Sequence, residues 1–506
     1  MRHVVSVLLL AFMVGLAHSG DVFAKSSDQL PNIILMMGDD HGWEETGYNG
    51  HPHLKTPVLD RMASQGLRLD NFYAGHPTCS PTRGSFLTGR HPNRYGTFTP
   101  NYSMRPEEIT IGHIMQAAGY QTAHFGKWHV GPVKKSSPTS PGAMGFDEWL
   151  SHDNFFELDP VLSRNGLPPQ KLPGESSQVI VDAAKEFIEK CQENDKPYFV
   201  VIWFGSPHEP YSGLPEDLAL YDNLPDDLSL RKVRLTSNET GRPTVRPQRD
   251  VLRERYAEIT AMDRAIGSLQ SYLRETGDLS NTLQLYCGDN GTPSEAVAVS
   301  PLRGKKGNLY EGGIRVPGVI LWPERIEEPR STSFTASTSD LLPTLCALTG
   351  RPLPKRPLDG ISLLPMIDGQ SSAREEPLCF WMYNVSQETA TSPAPYIPSK
   401  LQTGTTPLVK LMGGIATRNF TNFVHPKIED DDYLGSLAMI DGPLKLLAKV
   451  RPDSPPEFEL YNLEADRSEQ EDLAAANPQI IDRAYTQMRR WQTSVLKSLT
   501  GANYDE

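Results

Sequence analysis

A chain of 506 residues with 38% hydrophobic and 22% charged residues has the balance of an ordinary soluble globular protein, long enough for a large core and two domains. Its formal net charge of -13 excludes a protein whose main task is gripping nucleic acid, although an acidic protein can still hold an anion in a locally basic pocket. Five cysteines are too few for a disulfide scaffold, and a bridge among Cys191, Cys287, Cys346 and Cys379 stays open at this level.

At the start of the chain, Arg2 and His3 precede an apolar run over residues 4–17, and Val22-Phe23-Ala24 offers a small-residue cleavage site. This predicts a signal peptide over residues 1–24 and a mature chain beginning near Lys25. The protein is then exported, to the periplasm or the medium, or to the lysosome in an animal. The run is too short to span a bilayer, no other stretch is long and apolar enough, and so no membrane span is expected.

Short apolar runs then alternate with helical patterns, which predicts an α/β fold whose large domain has a mostly parallel central sheet flanked by helices. Residues 32–37 read as a buried strand ending in Gly38-Asp39-Asp40-His41. Residues 121–125 read as a second, ending in Gly126-Lys127-Trp128-His129. A helix stripe follows over 179–190, then a strand over 198–204 that leads to Ser206-Pro207-His208. A second helix stripe over 252–273 precedes a strand over 282–287 that ends in Gly288-Asp289-Asn290-Gly291. After a helix carrying Leu341, Leu342 and Leu345, the composition shifts near Arg374. Residues 25–374 are thus expected as the catalytic domain, and 375–506 as a smaller α+β domain with an antiparallel sheet. In the latter, strands are expected over 378–383, 408–417 and 459–463, a surface loop over 389–407, and a closing helix over 480–496.

In open α/β sheets, sites form beyond the carboxyl ends of strands, and here four strands deliver polar residues to that edge. An Asp-Asp pair or an Asp-Asn-Gly is commonly a solvated turn, but both together bring three carboxylates and an amide carbonyl to one place. Asp39, Asp40, Asp289 and Asn290 form an all-oxygen ligand set that suits a hard cation, Ca²⁺ or Mg²⁺, rather than zinc. Lys127, His129, His208 and Lys306 would surround an anionic ester with positive charge and titratable protons. His51 and His53 lack such a setting and read as loop residues.

The run Cys79-Ser80-Pro81-Thr82-Arg83-Gly84, continued by Ser85-Phe86-Leu87-Thr88-Gly89-Arg90, resembles the signature of the type I sulfatase family of the alkaline-phosphatase-like superfamily. The strand ends at 38–40, 126–131, 206–210 and 288–291, the segment 302–317 and the strand at 459–463 resemble the same family's other motifs. The resemblance implies a sulfatase in which a maturation enzyme converts Cys79 to formylglycine, an aldehyde that hydrates to a geminal diol. It implies one calcium ion held by Asp39, Asp40, Asp289, Asn290 and the side chain at 79. Lys127 and Lys306 would then neutralise the transferring sulfate, His208 would protonate the leaving alcohol, His129 would deprotonate the diol, and Arg83 would orient it. Between Lys305 and Lys306, the spacing to Tyr310-Glu311-Gly312-Gly313 favours Lys306.

The expected substrate is a sulfated carbohydrate of the N-acetylgalactosamine-6-sulfate kind. An arylsulfatase, a phosphomonoester or phosphonate hydrolase, and a silent carbohydrate-binding relative are the alternatives. Specificity is expected from loops over 43–53, 151–166, 211–244 and 389–407, with Trp43, Asn154, Phe155, Phe156 and Tyr211 as candidates to meet a sugar ring.

Overall fold

Runs such as Ile33-Ile34-Leu35-Met36-Met37, apolar at every position, are what a strand covered on both faces requires. The structure, a computed structural model, describes residues 30–236, 242–385, 394–407 and 419–504. The expected signal peptide and the expected strand over 408–417 lie outside the described residues.

Among the described residues the largest sheet has ten strands. From edge to edge they are Arg330–Thr332, Leu67–Leu69, Gly318–Leu321, Thr282–Gly288, Asn32–Gly38, Tyr198–Trp203, Gln121–Lys127, Glu148–His152, Val161–Arg164 and Gln170–Lys171. The five from Thr282–Gly288 to Glu148–His152 are mutually parallel. Register brings their carboxyl ends level: Gly38 lies opposite Gly288, Met37 and Gly126 opposite Trp203, and Lys127 opposite His152. The four predicted strands are therefore neighbours, and their polar tails leave the sheet along one edge.

Alternate residues of each strand feed different cores, as the period of two demands. Ile33, Leu35 and Met37 pack with Phe86, Leu87, Ile111, Met115, Leu341 and Leu345 on one face. Ile34 and Met36 pack on the other with Ile180, Phe187, Tyr256, Ile259 and Ile266 from the helices Ser176–Glu193 and Gln248–Thr276. Each such side chain contributes about 1.5–3 kcal/mol of burial free energy, so the sheet is a rigid base for its edge.

A four-stranded antiparallel sheet follows, in the order Leu378–Tyr383, Gly435–Asp441, Leu444–Val450, Glu457–Asn462. The helix Pro478–Leu499 covers it with Met488, Val495 and Leu496. The two central strands were not among those expected from sequence; they form a hairpin turning at Gly442-Pro443. Where described, the expected loop contains a helical turn, Ser399–Gln402, and Thr403 pairs with Asn419. All five cysteines are free, so no bridge forms. No helix among the described residues is long and apolar enough to cross a membrane.

Candidate active site

Cys79 opens the helix Cys79–Thr88, all ten residues of which are buried. Thr78 is extended ahead of it, and Gly89 closes it in the left-handed conformation that glycine takes freely. Position 79 therefore sits at a helix N-terminus, where backbone N–H groups favour negative charge. Its Sγ lies 3.6 Å from Asp40 Oδ1. One turn on, Arg83 reaches across the strand ends with no exposure to solvent: its guanidinium is 2.7 Å from Asp289, 3.4 Å from Asp39, and donates to the Lys127 carbonyl at 3.1 Å.

The strand tails complete the arrangement. Lys127 Nζ lies 2.6 Å from Asp39 Oδ2, and Lys306 Nζ 2.7 Å from the Asp40 carboxylate. The backbone N–H of Asp40 donates to Asp289 Oδ1 at 2.9 Å, and Asn290 Nδ2 donates to Asp40 Oδ1 at 2.9 Å. His208 Nε2 lies 3.6 Å from Asp40 Oδ2 and 3.4 Å from Lys306 Nζ. The backbone is unusual where the side chains turn inward: Asp40 has φ +61° and His129 φ +59°, conformations that cost energy for a residue with a Cβ. Close approach explains Gly288, where a Cβ would stand 2.1 Å from the His41 carbonyl oxygen.

The predicted residues Asp39, Asp40, Cys79, Arg83, Lys127, His208, Asp289, Asn290 and Lys306 are thus linked by direct contacts. His129 is buried two residues beyond Lys127, with its ring 6.4 Å from that of Phe420. Lys306, and not Lys305, carries the Asp40 contact, as spacing favoured.

The electrostatics are those of a crowded anionic cluster. Burial alone would raise Asp39, but Lys127, His208, Arg83 and Lys306 hold it well below the usual carboxylate range. Asp40 is held at about 2, burial being outweighed by Lys306 and His208. Asp289 is pushed up to about 7 by burial and by the charge on Asp39, against the pull of Arg83. Burial, more than any neighbour, brings His208 down to about 4 and pushes the Cys79 thiol up.

Two buried acceptor oxygens in this cluster, Asp39 Oδ1 and Asn290 Oδ1, have no hydrogen-bond partner among the described residues, Arg83 standing 3.4 Å from the former. Ligand atoms of Asp39, Asp40, Cys79 and His208 also lie within 4.8 Å of one another. Unsatisfied oxygens among three carboxylates fit a hard divalent cation, which would supply both the missing partner and the missing charge.

Sequence reasoning missed Arg255. This wholly buried residue of the helix Gln248–Thr276 pairs with Glu45 at 2.7 and 2.5 Å and donates to the carbonyl oxygens of Asp40, at 2.6 Å, and Pro207. It ties the Asp40 loop to the His208 loop. A charge lying within the apolar stripe of Leu252, Tyr256 and Ile259 was the available signal. Also unexpected is the hold of residues 405–407 on the edge: Thr405 and Thr406 donate backbone N–H groups to Asp153 at 2.5 and 2.8 Å, and Pro407 O lies 2.8 Å from His152 Nε2. Of the expected sugar-facing residues, Trp43, Asn154, Phe156 and Tyr211 are buried, and Phe155 is half-buried.

The chain is similar to known proteins over most of its length. The family described as Sulfatase matches residues 31–351. Arylsulfatase A of Homo sapiens is 31% identical over 411 residues, 74% of this chain and 73% of its own length. N-acetylgalactosamine-6-sulfatase of Mus musculus is 30% identical over 393 residues, 70% of this chain and 69% of its own. The solved structure of Ps i-CgsB in complex with k-i-k-neocarrahexaose has the same fold, with a TM-score of 0.72 at 23% identity over 92% of this chain and 93% of that one.

Proposed function

Because the chain belongs to the sulfatase family and is a sulfuric ester hydrolase, we propose that it releases sulfate from a sulfated carbohydrate, using one calcium ion and a formylglycine made from Cys79. The observation that carries this reading is the seat of Cys79, at a buried helix N-terminus beside the unsatisfied oxygens of Asp39 and Asn290. Asp39, Asp40, Asp289 and Asn290 would hold the ion, together with the side chain at 79. When present, the two groups supply a polarised sulfate oxygen and a hydroxyl nucleophile for sulfur.

The chain's own residues do the rest. Lys127 and Lys306 set positive charge against the transferring sulfate, where preorganised charge lowers the barrier without reorganisation. Arg83 fixes Asp39 and Asp289 in place. His208 Nε2 gives a proton to the departing alcohol oxygen, and His129 takes one from the hydroxyl remaining at position 79. A serine there has a single hydroxyl and cannot give up that second proton, so release of sulfate would stall.

The likeness to N-acetylgalactosamine-6-sulfatase supports a 6-sulfated amino sugar as substrate. Asn154 supports a hydroxyl-bearing ligand, since its buried amide atoms lack hydrogen-bond partners among the described residues. The likeness to arylsulfatase A favours a second reading, a sulfatase of broad specificity. Turnover of 6-sulfated N-acetylgalactosamine, 4-nitrophenyl sulfate and 4-nitrophenyl phosphate separates these. The first should lead, and all activity should vanish on chelation and return with calcium. Equal rates on unrelated aryl sulfates would select the second reading, and preference for the phosphate would sink both. The signal-peptide pattern over residues 1–24 supports export, with a formylglycine-generating enzyme as the partner that matures the chain.

A further inference from the structure

The imidazole of His208 is held on three sides. Its Nδ1 meets the Glu209 carbonyl oxygen at 2.5 Å, so the proton on that nitrogen is donated to the backbone. Its Nε2 faces Lys306 and Asp40. One face of the ring lies against Phe155, with centroids 4.5 Å apart and planes 11° from parallel.

Phe155 is itself fixed from both ends. Before it, Asp153 accepts the backbone N–H groups of Val133, Thr405 and Thr406, and the Asn154 N–H is donated to His152 Nδ1 at 3.0 Å. After it, Phe156 packs so tightly on Gly205 that a Cβ there would stand 2.6 Å from the Phe156 carbonyl oxygen. Gly205 in turn accepts, through its carbonyl, the backbone N–H of His208 at 3.2 Å. The segment carrying Phe155 and the loop carrying His208 are therefore packed as one piece.

We propose that Phe155 is a positioning residue, whose ring sets the plane of His208 so that Nε2 meets the leaving oxygen of the ester. This rests on the reading of His208 as proton donor. As the bond from sulfur to the alcohol oxygen breaks, its electron pair stays on that oxygen. From the doubly protonated ring the Nε2 proton passes to it, and the imidazole is left neutral with its Nδ1 proton still donated to the Glu209 carbonyl. A half-buried phenylalanine at the mouth of a site is commonly read as a sugar platform. Here one face is already taken by His208.

The test compares kcat on a sugar sulfate, whose alkoxide must be protonated to leave, with kcat on 4-nitrophenyl sulfate, whose phenolate leaves unaided. In matured, calcium-loaded Phe155→Leu the ratio of sugar-sulfate to nitrophenyl-sulfate kcat should fall by about tenfold. In Phe155→Tyr, which keeps the stack, it should stay within about twofold of the wild type. The His208 Hε1 resonance in proton NMR, identified by its loss in His208→Ala, should shift in Phe155→Leu as the ring current is removed. Equal slowing on both substrates, an unchanged ratio in Phe155→Leu, or an unmoved resonance would overturn the positioning role. His208→Ala serves as the control: if it too leaves the ratio unchanged, the proton-donor reading fails, and the proposal with it.

Discussion

Arg83 joins three strand ends without touching solvent: one guanidinium hydrogen-bonds Asp289 and the Lys127 carbonyl and sets its charge 3.4 Å from Asp39. Taking one partner out of such a buried set strands the others, at a cost of about 3–5 kcal/mol. Arg83→Met should therefore lower the unfolding free energy extracted from urea melts by that much, as well as abolish turnover. Cys79→Ser is different, because it changes one atom and breaks none of the ion pairs. It should melt like the wild type while losing on the order of 10³-fold or more in kcat, measured by sulfate release. At this scale the sequence was highly informative: Asp39, Asp40, Lys127, His208, Asp289 and Asn290 each stand at the carboxyl end of a buried strand or within a few residues of it, on one edge of the sheet. Arg255 was hidden because only the apolar stripe of its helix was legible; the loop 389–407 was expected at the rim, but the bonds of 405–407 to His152 and Asp153 join residues 252 to 255 apart in the chain and left no local pattern.

The helix Cys79–Thr88 is the element on which the site turns, and it is buried on every side. At Gly84, a Cβ would stand 2.5 Å from the Tyr95 hydroxyl oxygen, inside a packed core. Gly84→Ala should thus cost about 1–3 kcal/mol by overpacking, although alanine is the better helix former. The denaturant midpoint should fall at unchanged slope. An unchanged or raised midpoint would mean that Tyr95 moves aside freely. The parallel strands were legible because burial on both faces makes them continuous apolar runs. The hairpin of Gly435–Asp441 and Leu444–Val450 was not: Lys445, Lys449 and Ser436 interrupt its apolar pattern, and the Asp441-Gly442 turn signal between the strands is all that marks it.

Asp359 binds distant parts of the molecule. It accepts two bonds from Arg94, both at 2.7 Å, one from the His91 N–H at 2.6 Å and one from Trp491 of the closing helix at 2.8 Å. Burial opposes its charge, but Arg94 and His91 win and hold it well below the usual carboxylate range. A depressed carboxyl contributes stability above its unfolded value of about 3.9 and loses it as pH falls further. Asp359→Asn should be less stable than the wild type by about 3–5 kcal/mol near neutrality. That gap should close as the pH falls below about 4, followed by thermal melts across the acid range. The fold class was readable from strand and helix alternation; this tie was not, because nothing in the sequence pairs residues 94, 359 and 491. Mass spectrometry of the peptide containing position 79 tests for the formylglycine most directly. In protein produced with a formylglycine-generating enzyme, the peptide should carry an aldehyde in place of the thiol, and kcat should rise in proportion to the aldehyde fraction. Full turnover from protein whose position 79 is entirely cysteine would contradict the account.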